Sequence, residues 1–248
     1  EHRISPDVLR RLRAGRKKID YKLEKQAIQG LQKMRMVSLA SAEGDLQAAA
    51  IWSLAYERLF RVQSELLPLE RRSSPPADML NAPWHSAVVW NLDPEGRPLK
   101  ASIHLRKRKN NPMPSVMEIK CHCPHRRPQY EVNSQYDSPC ALCRLRALWT
   151  SRSDTMNIFD ISEANLLTLT KKYALLSGSE TTRRLGLHVF RRGACRDLVT
   201  KKTPLSKILD LGGWKSPAAL HYMAMDDLEN RNYALVHADN SDSEGQTQ

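Results

Sequence analysis

Residues 86–120 break the texture of an otherwise helical sequence, and this break constrains the fold more than any other feature. "SAVVWNL", the turn "DPEGRP" and "LKASIHLRKRKN" read as two antiparallel strands, since apolar and β-branched runs flank a Pro/Gly turn. "SVMEIKCHC", after Asn111-Pro112, reads as a third strand. On either side the apolar spacing is helical. From Asp45, after the breaker Gly44, the positions Ile51, Leu54, Ala55, Leu59 and Val62 predict one buried helix running into "FRVQSELLPLE". Ser162 is placed to cap "EANLLTLTKKYALL", which stops at Gly178. Thr203-Pro204 opens "LSKILDL", closed by Gly212-Gly213, and Ser216-Pro217 opens a last helix. The expected fold is mainly α with a small antiparallel β-sheet, an α+β arrangement.

The boundaries follow from composition. Residues 1–40 are expected to be a basic linker or arm and a first helix, because residues 1–35 carry eleven Lys and Arg against four acids. Residues 41–237 form the main domain, interrupted by the Ser/Pro loop "RRSSPPADML" and by a Cys-rich insertion at 121–143. The apolar-free tail 238–248 is expected to be acidic and disordered. The first residue is Glu1 and not Met, so a longer protein is expected. Thirty-nine Lys and Arg against twenty-seven Asp and Glu give +12, which makes a polyanion the first partner to consider and an acidic membrane surface the second. No apolar run is long enough to span a bilayer and no leader opens the chain, so a soluble intracellular protein is expected.

Four of the five cysteines crowd together as Cys121-x-Cys123, sixteen residues, then Cys140-x-x-Cys143. That spacing offers four thiolates to a tetrahedral zinc, with His122 and His125 as spare ligands. The alternative is four reduced thiols near a loop, with Cys140 and Cys143 facing into a helix that continues "RLRALW". A bound zinc would staple the insertion and, with four protein ligands, would have no open position for catalysis. Cys195 reads as a small core residue.

In "LHVFRRGACRDL", His188 and Arg191 stand three apart, on one face of the expected helix. Arginine gives phosphoryl oxygens a planar fork of donors, and histidine exchanges protons near neutral pH. Arg192 is expected at the surface or on DNA backbone. "GGWKSPAALHYM" follows, with Trp214 ahead of a helix and Tyr222 on its second turn.

The series His188-x-x-Arg191, Gly213-Trp214, Tyr222 resembles the C-terminal signature of the tyrosine recombinases, the phage-integrase superfamily of DNA strand-exchange enzymes. The Trp-to-Tyr interval of eight residues looks more like eukaryotic mobile-element versions of the Crypton or DIRS sort. "LFRVQSELLPL" resembles the family's first arginine box and makes Arg61 a second phosphate clamp. The family usually has an acid three positions later, whereas here that position is Ser64 and the acid is Glu65. "IHLRKRKN" resembles the strand end and turn that carry the family's lysine, with Lys109 best placed and Lys107 the fallback.

The resemblance implies a catalytic set of Arg61, Lys109, His188, Arg191, Trp214 and the nucleophile Tyr222, with Tyr233 a rival nucleophile. No cofactor enters the reaction. Double-stranded DNA is the implied partner, with self-association on DNA from dimer to tetramer. Arg16, Lys17, Lys18, Arg106, Lys107, Arg108, Arg192 and Lys215 are expected to contact DNA. The location is expected to be nuclear in a eukaryotic cell and cytoplasmic otherwise. Two rivals remain at this point. One is a recombinase-fold DNA-binding scaffold without the reaction; the other is a zinc-containing nucleic-acid module worked by its basic arm.

Overall fold

The computed structural model describes residues 27–72, 86–106, 108, 113–123, 140–183 and 185–214. Among them are six α-helices, one π-helical turn and a four-stranded sheet. In chain order these are α1 (Gly30–Ala42), α2 (Leu46–Glu57), the π turn (Val62–Leu66), β1 (Leu69–Glu70), β2 (Ser86–Leu92), β3 (Pro98–Leu105), β4 (Ser115–Lys120), α3 (Ala141–Thr150), α4 (Glu163–Leu176), α5 (Val189–Thr200) and α6 (Leu205–Gly212). Mixed α and β architecture is as expected from the sequence. No helix among the described residues is long and apolar enough to cross a membrane.

Helix α2 is the axle of the core. Every residue from Ala48 to Ala55 is buried, which is what an all-round apolar helix requires. Trp52 stacks on Phe190 of α5 with ring centroids 5.6 Å apart, meets Tyr173 of α4 edge-on at 5.6 Å, and donates its indole N–H to Thr170 Oγ1 at 3.0 Å. One side chain thus ties three helices together, and its truncation would cost about 3–5 kcal/mol.

The single helix expected from Asp45 to Val62 is two pieces. It ends at Glu57, Leu59 takes a left-handed backbone (φ 53), and the chain restarts as the π turn. Within that turn Leu67 N–H bonds to the Val62 carbonyl, five residues back, at 2.9 Å. The apolar spacing runs through the break because Leu59 and Val62 are both buried, but the Leu59 carbonyl is turned out of the helix and accepts from Arg191. A left-handed leucine costs roughly 1–2 kcal/mol, which this long-range bond helps to offset.

The three expected strands are present, antiparallel, and in the expected order. Ser86 pairs with Leu105, Trp90 with Ala101 and Ile103 with Met117, with an irregularity in register at Asn91/Leu92. The sheet is nevertheless mixed and not purely antiparallel. The two-residue β1 adds to the β2 edge in parallel, Leu69 against Ser86. Two residues carry no readable alternation. They are fixed from the other side by the 155–158 segment, where Ile158 N–H reaches Leu69 O at 2.7 Å and Arg71 N–H reaches Met156 O at 2.8 Å. Ala101, Ile103 and Leu105 of β3 face the core.

The helix ends match the sequence signals. Ser162 Oγ accepts from Asn165 N–H at 3.2 Å at the start of α4. Gly178 follows α4 with φ 102, Pro204 precedes α6, and Gly213 closes α6 with φ 59. The 1–26 arm, the Ser/Pro loop from residue 73, the 238–248 tail and the last helix after Pro217 lie outside the described residues.

Candidate functional site

The break after α2 aims Arg61 inward. Its backbone N–H and its guanidinium Nη1 both bond to Glu65, at 2.9 Å (Oε2) and 2.8 Å (Oε1). Glu65 is four residues on, and its carboxylate faces back over the start of the π turn, filling the place of an N-cap. Ser64 is exposed and Glu65 is fully buried, so the acid that serves Arg61 stands four residues on.

A second arginine reaches the same carboxylate from the sheet. Arg108, beyond the end of β3, donates Nε to Glu65 Oε1 at 2.9 Å and Nη2 to Oε2 at 3.2 Å. Expected as a surface contact to DNA, it is instead buried, and Nη2 also lies 3.3 Å from the Gly212 carbonyl. The physical reason is the buried carboxylate, which offers both oxygens to the guanidinium fork. Burial pushes the Glu65 carboxyl up, but hydrogen bonds from Arg108 and from the Arg61 N–H, with both positive charges, outweigh it and hold the group below its ordinary range.

Arg191 enters from α5. It is 0 % exposed, donates Nη1 to the Leu59 carbonyl and Nη2 to the Gly212 carbonyl at 2.5 Å, and lies with its guanidinium carbon 4.1 Å from the Trp214 ring. The Gly212-Gly213-Trp214 turn is shaped around these contacts. A Cβ on Gly212 would stand 1.8 Å from the Trp214 ring, and one on Gly213 would stand 2.4 Å from Arg108 Nη1. Only glycine fits either position, and Gly213 also needs its left-handed backbone.

Arg61, Arg191 and Trp214 therefore meet around Glu65 and Arg108. His188 and Arg191 differ in burial. It is the N-cap of α5 (φ −79, ψ −3) and exposed, while Arg191 is buried in the first turn. Arg192 is buried, not at the surface, and Arg106 is half-buried. Lys109, Lys107, Tyr222, Lys215, Arg16, Lys17 and Lys18 lie outside the described residues, as does Tyr233. Sequence reasoning named Glu65 only as a displaced acid and Arg108 only as a DNA contact, and placed neither among the clustered arginines. For Glu65 the signal was its nearness to Arg61. For Arg108 the surrounding basic run "RKRKN" hid it.

The cysteine cluster is a separate unit. The four sulfurs of Cys121, Cys123, Cys140 and Cys143 lie within 4.8 Å of one another, and none of the four is in a disulfide. Separations of 3.7 Å (Cys121 to Cys143), 3.5 Å (Cys123 to Cys143) and 3.9 Å (Cys140 to Cys121) are far too long for disulfides. They match the edges of a tetrahedron, since sulfurs about 2.3 Å from one zinc stand about 3.8 Å apart. Backbone N–H groups of His122 and Cys123 point at the Cys140 and Cys121 sulfurs, each at 3.5 Å. Such donors favour thiolates, and Cys140 and Cys143 sit at the N-terminus of α3, whose dipole does the same. Hydrogen bonds from Cys123, Cys140 and Cys143 pull the Cys121 thiol well below its ordinary value. The cluster fits one tetrahedral metal ion such as zinc. His122 is exposed, and His125 lies outside the described residues. Cys195 is buried in a small apolar cluster with Leu59, Val199, Ile208 and Trp214, and burial pushes its thiol up to about 12. Comparison with family models and with curated proteins finds no match to this chain.

Proposed function

We propose that this chain cuts and rejoins double-stranded DNA through a covalent phosphotyrosyl intermediate, as a tyrosine recombinase of the mobile-element type. One observation supports the reading above others. Three buried guanidinium groups converge: Arg61 and Arg108 both bond to Glu65, and Arg108 and Arg191 both donate to the Gly212 carbonyl. Guanidinium forks gathered in this way match the non-bridging oxygens of a DNA phosphodiester.

In this reading the Tyr222 hydroxyl oxygen forms a bond to phosphorus as the bond from phosphorus to the 5′ oxygen breaks. The tyrosine proton passes to His188, Lys109 protonates the leaving oxygen, and the 3′ phosphate stays on the tyrosine. Arg61 and Arg191 hold the non-bridging oxygens; loss of one such stabiliser costs about 2.7–4 kcal/mol. Arg108 and Glu65 set the angle of the Arg61 side chain. No high-energy cofactor is needed, because the tyrosyl ester keeps the energy of the bond it replaces. The cysteine cluster holds a structural zinc, with all four ligands from the protein and no part in the chemistry.

A second reading, a recombinase-fold scaffold that binds DNA without cutting it, is favoured by one observation. Arg191 is fully enclosed, with donors on two backbone carbonyls and Trp214 over its face. For catalysis the Gly212–Trp214 turn must shift to uncover it. Nicked suicide substrates made from the ends of the element that encodes the chain separate the two. A covalent adduct that survives SDS and disappears in Tyr222→Phe is expected. Tight binding to the same DNA with no adduct from the wild type would leave the scaffold reading standing.

A further inference from the structure

Away from the arginine cluster, two tryptophans and two arginines form a cluster of donors with no acceptor among the described residues. Trp90 of β2 meets Trp149 of α3 edge-on, centroids 5.9 Å apart. The Arg146 guanidinium lies 4.8 Å from the Trp149 ring and 5.1 Å from the Trp90 ring, and Arg71 lies 4.4 Å from Trp149. Trp90 Nε1, Trp149 Nε1 and Arg71 Nε are all buried and have no hydrogen-bond partner among the described residues. Orphaned buried donors are rare, and three at one place call for an acceptor-rich ligand.

The charge points the same way. No carboxylate pairs with Arg71 or Arg146 among the described residues. The nearest acid in sequence, Glu70, is held by Arg72 at 2.7 Å, and Asp160 faces Arg152 at 3.4 Å. Burial and then the Arg71 charge push Arg146 below its ordinary value, so the two guanidinium groups repel. The indole faces hold them in place by cation–π attraction. Trp90 is four residues along β2 from Ser86, the residue opposite Leu105, so this pocket stands about 13 Å from the end of the sheet that carries Arg108.

We propose that Trp90, Trp149, Arg71 and Arg146 form a second phosphate-binding site that takes a backbone phosphate of duplex DNA, separate from the Arg61 cluster. The identity of the DNA partner rests on the proposed function; the preference for phosphate rests on the pocket. Guanidinium forks and indole N–H groups are all donors, and a phosphate is all acceptors. Cys140 and Cys143 open the helix that presents Arg146 and Trp149, so a metal in the cysteine cluster would brace the pocket.

The test measures binding of the full zinc-loaded chain to a labelled duplex across about 50–200 mM KCl. Arg71→Gln combined with Arg146→Gln is expected to weaken binding several-fold at low salt and to flatten the plot of log affinity against log salt by about one unit. An unchanged slope, in a double variant that keeps its zinc and its melting temperature, refutes the site. If the double variant fails to fold, Arg71→Gln alone, on a half-buried side chain, is read in the same way. Titration with inorganic phosphate, followed by tryptophan emission in wild type and Trp149→Phe, provides the second arm. A phosphate response without any change of DNA slope would mean a site for a free anion and would overturn the DNA assignment. Covalent adduct formation is scored separately. A chain that never forms adducts but shows the flattened slope refutes the recombinase reading and leaves this site intact.

Discussion

Arg108 and Arg191 donate to the same oxygen, the Gly212 carbonyl, at 3.3 Å and 2.5 Å. The sheet and α5 are thus fastened to one turn, and that turn is where Trp214 begins. Gly213→Ala tests the fastening, because the new Cβ would meet Arg108 and the backbone is left-handed. The substitution is expected to cost at least about 1–2 kcal/mol from the backbone alone, read as a lower melting temperature. DNA binding at high salt is expected to fall with it, since Arg108 can no longer hold Glu65. A melting temperature equal to wild type would show that the turn yields freely.

Glu65→Gln removes the carboxylate shared by Arg61 and Arg108, and leaving two buried guanidinium groups without it is expected to cost about 3–5 kcal/mol. The pH dependence has a definite sign. The folded pKa of Glu65 lies below its unfolded value of about 4.3, so its contribution is complete above that value and is lost as pH falls through the lower folded one. Wild type is expected to lose stability on acidification in that window, and the glutamine variant to lose correspondingly less. Parallel melting curves for the two proteins between about pH 3 and pH 6 would remove Glu65 from this role.

What could be read from the sequence divides along the range of the interactions. Strands β2, β3 and β4, the Ser162 cap and the Gly213 stop are set by neighbours within a few residues, and each was legible. The cysteine spacing was legible for the same reason, since a metal site restricts which residue types can stand together. The break at Leu59 was not, because the bond that stabilises it comes from Arg191, 132 residues away. Arg108 stands in a run of basic residues that reads as solvated surface, and only Glu65, 43 residues earlier, draws it inside. His188 and Arg191 stand three apart, but the helix starts at Val189, so His188 is its exposed cap while Arg191 is buried in the first turn, a difference the spacing does not carry.

The sulfur tetrahedron carries a prediction about metal content. The purified chain is expected to hold zinc at a stoichiometry of one, released when the thiols are titrated with a mercurial. Cys143→Ser is expected to lose the metal and to lower the melting temperature, because α3 begins at this site and packs against β3. A metal-free protein with four freely reactive thiols and an unchanged melting temperature on addition of zinc would show that the cluster is only four reduced cysteines.

Trp214 offers the sharpest separation of packing from chemistry. Its ring covers Arg191 at 4.1 Å and belongs to the small apolar cluster around Cys195. Trp214→Ala is expected to lose that packing along with a cation–π contact worth about 0.5–2 kcal/mol, and to unfold at lower temperature. Trp214→Phe keeps an aromatic face over the guanidinium but removes the indole N–H, which in the proposed reaction would give the scissile phosphate a further donor beside Arg61 and Arg191. It is expected to melt within a few degrees of wild type, to bind duplex DNA nearly as well, and to form the SDS-resistant adduct more slowly. A phenylalanine variant that cleaves at the wild-type rate would confine Trp214 to covering Arg191, and the phosphate would then have to be held by the arginines alone.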